Sequence, residues 1–226
     1  MLILGIDDAG RGPVIGPMVL AGCLMQEELG AAWKQLGVKD SKQVPQQKRE
    51  ELATRIKKEA RAYHITITTP SEIDARLKVG MNLNRLEALK AAEIMNTINT
   101  SEQRKEKIRV IIDCPSPNTK AWKHVVESYV EHKQNLEILC EHKADINHVA
   151  CSAGSILAKT TRDAEIEKIK TLLGVDFGSG YPSDSVTMKF LAENIQKFRN
   201  KGIFRESWQT FKSEDNKKIQ RKIMDF

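Results

Sequence analysis

Apolar and polar positions along this chain first form short strand-like runs and then alternate between strand and helix periods. Leu2–Asp7 is an apolar run that ends in an acid, and Pro17–Leu24 is a second run; the Gly/Pro-rich stretch 9–16 between them predicts a hairpin-like connection. Arg61–Thr69 alternates and is rich in β-branched residues, which predicts a third strand. Ile108–Asp113 is a compact apolar run that again closes on an acid, and Leu136–Glu141 predicts a further strand. Helical spacing predicts helices over Gln46–Glu59, Asn82–Thr97, Lys120–Lys133, Val149–Leu173 and Ser185–Lys197. Ser101–Lys107 and Asp176–Asp184 read as loops, and the tail from Lys212 is highly charged, with apolar residues spaced at its end. This order predicts the α/β class: a mixed sheet, antiparallel early and parallel later, with helices on its faces. Sites in such sheets gather at the carboxyl ends of parallel strands, which is where Asp7 and Asp113 stand. If their strands are neighbours, the two carboxylates face one another.

Composition narrows the setting. At 226 residues, 40% of them hydrophobic, the chain suits one large domain, or one core with a small appendage. No apolar run approaches a membrane span and no signal-peptide pattern opens the chain. Cys23, Cys114, Cys140 and Cys151 are widely spaced without a CxxC pair, which favours reduced thiols and a cytoplasmic location over a disulfide framework or zinc site. The 36 Lys and Arg against 30 Asp and Glu leave +6, which fits a polyanionic partner and equally a soluble surface with spare lysines. Aromatic content of 5% disfavours a single-strand binder built on stacking. There is no Gly-x-Ser-x-Gly elbow and no Walker-type loop, which disfavours serine hydrolysis and nucleotide-driven motors.

The candidate chemistry is concentrated in Gly5-Ile6-Asp7-Asp8-Ala9-Gly10-Arg11-Gly12-Pro13. Paired carboxylates at a strand end suit hard divalent cations, and the Gly-Arg-Gly step lets backbone approach a ligand beside a permanent positive charge. Neighbouring carboxylates repel when ionised, so a cluster of Asp7 and Asp113 calls for compensating charge such as a pair of magnesium or manganese ions. Each acid alone also reads as a turn former. Successive strand residues point to opposite faces, so Asp8 joins Asp7 at one metal only if the strand ends at Asp7 and Asp8 sits in the turn. Asp145, just before a long helix rich in small residues, reads alone as a helix cap; His142 and His148 read as exposed or capping histidines.

Gly5-Ile6-Asp7-Asp8-Ala9-Gly10-Arg11-Gly12-Pro13-Val14-Ile15-Gly16-Pro17-Met18, Asp40-Ser41-Lys42, His142-Lys143-Ala144-Asp145, Ser155-Ile156-Leu157-Ala158-Lys159 and Gly178-Ser179-Gly180-Tyr181-Pro182-Ser183-Asp184 occur in the order seen in type 2 ribonucleases H. Through these segments the chain resembles that family, in archaeal-like form, from residue 3 to Trp208. The resemblance implies a ribonuclease H-like α/β fold with a five-stranded mixed sheet. It places a catalytic domain at residues 1–174 and a C-terminal helical region at 175–226. It also implies endonucleolytic cleavage of RNA in RNA/DNA hybrids and at single ribonucleotides in duplex DNA. Asp7, Asp8, Asp113 and Asp145 match the four carboxylates that bind two divalent ions, Mg²⁺ or Mn²⁺. The resemblance further implies that a metal-activated water attacks on the 5′ side of the ribonucleotide, leaving a 3′-hydroxyl and a 5′-phosphate. Gly10, Arg11 and Gly12 match the loop that reads the 2′-hydroxyl, Tyr181 the tyrosine that packs on the sugar, and Lys42 and Lys143 candidate phosphate contacts. The family has glutamate where this chain has Asp8, an acid shorter by about 1.5 Å of reach.

Gln220, Ile223 and Phe226 have a spacing that resembles the clamp-binding box of replication proteins, which implies a sliding clamp as partner. The expected assembly state is a monomer with no membrane association. The alternatives are a catalytically weakened, clamp-associated hybrid binder, prompted by Asp8, and a type 3 ribonuclease H, which carries an additional amino-terminal domain.

Overall fold

The computed structural model describes residues 1–39, 41–102 and 106–224, with side chains of the last helix described as far as 217. The strands are β1 (Leu2–Ala9), β2 (Met18–Gln26), β3 (Ala62–Thr68), β4 (Ile108–Asp113) and β5 (Leu136–Glu141). Among the described residues they form a five-stranded sheet in the order β3-β2-β1-β4-β5. β1 pairs antiparallel with β2 and parallel with β4, and β4 pairs parallel with β5. The expected mixed sheet is therefore present, with its early hairpin and its later parallel strands.

The helices are α1 (Leu29–Gln35), α2 (Gln46–Glu59), α3 (Pro70–Lys78), α4 (Leu83–Ser101), α5 (Thr119–Tyr129), α6 (Ala144–Asn147), α7 (Val149–Leu173), α8 (Ser185–Phe198) and α9 (Gln209–Met224). The bounds of α2, α7, β4 and β5 coincide with those expected. α1, α3 and α6 were not anticipated. The charged tail is helical, and β1 continues two residues beyond Asp7.

The chain divides into two compact units that interleave along the sequence. The first comprises Met1–Ala9, Val19–Ile67 and Leu83–Thr161, and the second Gly10–Met18, Thr68–Asn82 and Arg162–Phe226.

In the first unit, glycines let helices lie directly on the sheet. A Cβ on Gly5 would come within 2.0 Å of the Ala150 carbonyl carbon, and one on Gly154 within 2.9 Å of the Ala21 oxygen. The small residues of α7 therefore exist to bring that helix onto β1 and β2. Gly22 is paired with Ile6, one position along from the Gly5–Cys23 pair, so it faces the other way. On that face a Cβ would lie 2.3 Å from Ile94 of α4. α7 thus lies on one face of the sheet, together with Trp33 of α1 and Leu52 and Ile56 of α2, and α4 lies on the other. Leu86, Ile94, Met95 and Ile98 of α4 are fully buried, at helical spacing.

The second unit has its own core, in which Ile15, Phe177, Phe190, Phe198, Phe204 and Phe211 cluster. Phe190 stacks on Phe198 with ring centroids 5.7 Å apart, and Phe204 meets Phe211 at 5.4 Å. An isolated antiparallel bridge joins Ile15 to Phe204.

Candidate active site

Parallel pairing of β1 with β4 ends at Ile6 and Ile112. The next residue on each strand is an aspartate, so Asp7 and Asp113 sit in register at the carboxyl ends of neighbouring strands, on the face that α7 covers. Asp7 is buried. Its carboxylate accepts the Asp8 N–H at 2.7 Å and a hydrogen bond from the Ser155 hydroxyl on α7. The Ser155 oxygen also lies 2.9 Å from the Ser41 hydroxyl. A serine has one proton to give, so with Ser155 donating to Asp7, Ser41 donates to Ser155. Buried Arg49 fixes that turn by donating to the Ser41 and Val44 carbonyls, each at 3.0 Å.

Burial first, then the adjacent Asp8 charge, pushes the Asp7 carboxyl well above its ordinary range, and Asp113 adds to this. Asp113 is raised by burial too, against the opposing effect of two backbone amides and of the Lys42 and His142 charges. Those amides belong to Lys143 and Ala144, the latter at 2.9 Å. Lys143 is the one non-glycine residue among those described with left-handed backbone, at φ 59°. The left-handed step turns two successive N–H groups toward one anion, and here that anion is the Asp113 carboxylate.

Asp145 is buried in the first turn of α6, two residues beyond Lys143. Its carbonyl accepts the Ser152 hydroxyl at 2.7 Å. His142 is exposed, with Nδ1 3.1 Å from the Cys114 carbonyl, and His148 pairs with Glu141 at 2.6 Å. Both histidines therefore have the local roles that the sequence suggested. Lys42 is exposed, and its neighbour Asp40 lies outside the described residues.

Asp8 departs from expectation. It is not in a turn but within β1, opposite Leu20, and so leaves the strand on the α4 face while Asp7 leaves on the α7 face. The hollow at this end of the sheet is lined by Asp7, Asp8 and Asp113 together with Glu87 of α4 and Trp122 of α5. Glu87 is buried, and no feature of the sequence pattern marked it. Ser41 and Ser155 belong to the Asp40-Ser41-Lys42 and Ser155–Lys159 motifs, and their hydrogen bonds give those motifs a physical reason.

The donors suit a hard dication: oxygen ligands on a rigid strand end, with the charges acting most on Asp7 both negative. Among the described residues, however, no three His, Cys, Asp or Glu side chains already converge on one point as a finished coordination shell.

The second unit gathers the other expected residues. Gly10, at φ 82°, has no room for a side chain, since a Cβ would meet Arg162 Cδ and Nε at 2.4 Å. Arg162 is buried, donates to the Ser179 carbonyl at 3.0 Å and lies 5.0 Å from the Tyr181 ring centre. A Cβ on Gly12 would be 3.7 Å from the Tyr181 ring, so Tyr181 borders the Gly10–Gly12 loop. The Val14 N–H donates to the Gly180 carbonyl at 2.9 Å, which ties this loop to the Gly178–Asp184 segment. That segment is itself held by Asp184, which caps α8 through the Val186 N–H at 2.9 Å and accepts the Ser179 N–H at 2.7 Å. Arg205, fully buried, donates to carbonyls of the Gly10–Gly16 segment. Arg162 and Arg205 had no signal in the sequence, because their partners are remote in the chain. Of the tail residues, Phe226 lies outside the described residues, as do the side chains of Gln220 and Ile223.

A family profile described as Ribonuclease HII matches residues 4–211. A Ribonuclease HII from Methanococcus maripaludis is 41% identical over 215 residues, covering 94% of this chain and 86% of that protein. Among solved structures, the ribonuclease H2 from Pyrococcus horikoshii OT3 is similar with a TM-score of 0.82 and 34% identity, over 96% of this chain and 98% of that one. The PCNA:RNase HII complex from Archaeoglobus fulgidus is similar with a TM-score of 0.79 and 34% identity, over 92% of this chain and 96% of the matched one.

Proposed function

The chain belongs to the ribonuclease HII family, nucleases that hydrolyse RNA in RNA/DNA hybrids, and we propose that it cuts both hybrids and duplex DNA containing single ribonucleotides, on the 5′ side of the ribonucleotide. The observation that supports this most is the placement of Asp7 and Asp113 in register on adjacent parallel strands, with the Lys143 turn folded onto Asp113. Asp7, Asp8, Asp113 and Asp145 are the residues that would hold two divalent ions, Mg²⁺ or Mn²⁺. Such ions, when bound, would supply Lewis-acid stabilisation to the attacking and leaving oxygens of a phosphoryl transfer.

The remaining work falls to the chain's own groups. Ser41 and Ser155 fix the Asp7 carboxylate, and the Lys143 and Ala144 amides fix that of Asp113, so neither acid has to reorganise as substrate arrives. Lys42 and Lys143 meet flanking phosphates. Gly10, Arg11 and Gly12 read the 2′-hydroxyl, and Tyr181 packs on the sugar, so that deoxyribose is rejected for the contact it lacks. Water attack on the phosphate leaves a 3′-hydroxyl and a 5′-phosphate.

A duplex with one ribonucleotide and labelled ends tests this. Incubation with Mg²⁺ or Mn²⁺ is expected to give one cut, 5′ of the ribonucleotide, with those termini. A shifted but intact duplex under both metals would instead establish the alternative, a hybrid-binding protein.

The tail supports a second element of the proposal, sliding-clamp binding through Gln220, Ile223 and Phe226. The relative from Archaeoglobus fulgidus was solved with PCNA. Deleting residues 220–226 is expected to abolish clamp pull-down while leaving cleavage of free duplex intact; undiminished pull-down would remove the tail from the account.

A further inference from the structure

The Gly10–Gly12 loop is short, glycine-rich and intrinsically permissive, yet discrimination by a backbone requires its amides to be fixed. The fixing group is a single buried side chain. Arg205 is 0% exposed and spends its guanidinium fork on backbone carbonyls: Nη2 to Gly10 at 2.6 Å, Nη1 to Arg11 at 2.7 Å and Nε to Gly16 at 3.0 Å. Trp208, whose ring lies 4.9 Å from the Arg205 guanidinium, adds a fourth contact from its indole N–H to the Gly12 carbonyl at 3.2 Å. The Gly10, Arg11 and Gly12 carbonyls are thereby all claimed from one segment.

That segment is itself anchored. The Arg205 N–H donates to the Val14 carbonyl and the Gly16 N–H to the Ile203 carbonyl, each at 2.9 Å. Buried Asp74 of α3 accepts the Glu206 and Ser207 N–H groups at 2.8 and 3.0 Å, and the Ser207 hydroxyl as well.

Peptide geometry carries the consequence. The described peptide bonds are all trans, and in a planar trans peptide the N–H points opposite to the C=O. Drawing the Gly10 and Arg11 carbonyls toward Arg205 therefore turns the Arg11 and Gly12 N–H groups away from it. Those are two successive donors on a half-buried and an exposed residue, with Tyr181 alongside Gly12.

We propose that Arg205 is a positioning residue for ribose recognition: by holding the Gly10 and Arg11 carbonyls it aims the Arg11 and Gly12 amides at the 2′-hydroxyl, with Trp208 as its partner. This rests on the reading of the Gly10–Gly12 loop given above. Lysine cannot substitute, because a compact ammonium lacks the planar fork that spans three carbonyls.

The test compares the cleavage efficiency (kcat/KM, Mg²⁺) on a duplex with one ribonucleotide against the same duplex with a 2′-fluoro-2′-deoxynucleotide at that position. In Arg205→Lys the ribo-to-fluoro ratio is expected to fall about tenfold, the worth of one well-placed hydrogen bond, with the fluoro rate nearly unchanged. A purely structural role would lower both rates together and leave the ratio intact, which would overturn the inference. Trp208→Phe keeps the packing and deletes one donor. Its ratio is expected to fall a few-fold, and it decides the matter should Arg205→Lys fail to fold by thermal melt; an unchanged ratio in folded Trp208→Phe then overturns the inference. Gly10→Ala separates the two levels, because a Cβ there would meet Arg162 at 2.4 Å in left-handed backbone and the loop must shift. If the wild type shows no ratio to lose, or folded Gly10→Ala keeps it, the loop reading itself fails. If Gly10→Ala loses the ratio but the Arg205 and Trp208 variants keep it, only the positioning role fails.

Discussion

Asp7 and Asp113 stand on the same face of the sheet, each one residue past the last paired position of two adjacent parallel strands. Asp8, next to Asp7 in the chain, leaves from the opposite face. The acids that line the hollow at this end of the sheet are therefore Asp7 and Asp113 in register, with Asp8 reaching it from β1's far face and Glu87 from α4.

Asp7→Asn separates stability from function. Burial and the Asp8 charge raise the folded-state pKa of Asp7. A raised group stabilises the fold only while protonated, so that contribution is lost as pH rises through the folded value. The metal-free wild type therefore loses stability relative to an uncharged isostere as this buried acid ionises. In EDTA the melting temperature of the asparagine variant is expected to gain on that of the wild type as pH rises, and with Mg²⁺ the variant is expected to cleave about 10³-fold more slowly, as several kcal/mol of metal-derived stabilisation would give. A difference in melting temperature that does not move with pH contradicts the electrostatic account.

Lys143→Asn tests the turn over Asp113. Asparagine tolerates left-handed backbone better than lysine, which pays about 1 kcal/mol there. The variant is expected to be as stable as the wild type or more so by chemical denaturation. Hybrid binding should weaken and lose about one unit of salt slope, as befits one phosphate contact. An unchanged slope removes Lys143 from the phosphate contacts.

Much of this was legible in the chain. β4, β5, α2 and α7 announce themselves by strong periodicity, and the hairpin follows from the Gly/Pro-rich segment after Ala9. What escaped was local or long-range. Thr69-Pro70-Ser71-Glu72 starts α3, with the Thr69 hydroxyl accepting the Glu72 N–H at 3.2 Å, but that cap lies against the end of a β-branched run that reads as strand. α1 and α6 are too short for periodicity to show. Asp8 can share Asp7's metal from a turn only if the strand ends at Asp7, and pairing of Asp8 with Leu20 and Ala9 with Val19 instead keeps the strand intact. Glu87 reads as an ordinary helix residue, and only the fold turns it inward. Arg205 meets loop carbonyls 189 to 195 positions away, a relationship that no local pattern encodes.

Asp8→Glu probes the short acid. The added methylene extends its reach by about 1.5 Å from the same strand position. The Mg²⁺-to-Mn²⁺ activity ratio is expected to change between wild type and variant. Identical ratios and rates in both would mean that Asp8 does not touch the metals.

Asp184 predicts an acid-labile recognition segment. Amides and the hydroxyl of Ser179, with the Val186 N–H, hold its pKa down at about 2. A depressed carboxyl contributes stability that is complete above the unfolded value near 3.9 and lost as pH falls through the folded one. The advantage of the wild type over Asp184→Asn should therefore be constant above about pH 4 and vanish toward about pH 2. Asp184→Ala, which loses the cap as well, should cost about 1 kcal/mol more at neutral pH. A wild-type advantage independent of pH would contradict the assignment.

The central claim is that Asp7 and Asp113 jointly support metal-dependent cutting at a ribonucleotide. Single-turnover cleavage of a duplex with one ribonucleotide, titrated with Mg²⁺ in wild type, Asp7→Asn and Asp113→Asn, tests it most directly, with duplex binding measured in parallel. Saturable Mg²⁺-dependent cutting 5′ of the ribonucleotide is expected in the wild type, and loss of cutting with retained duplex binding in both variants. Wild-type cutting that persists in EDTA, or an Asp113→Asn variant that cuts at the wild-type rate, would contradict it.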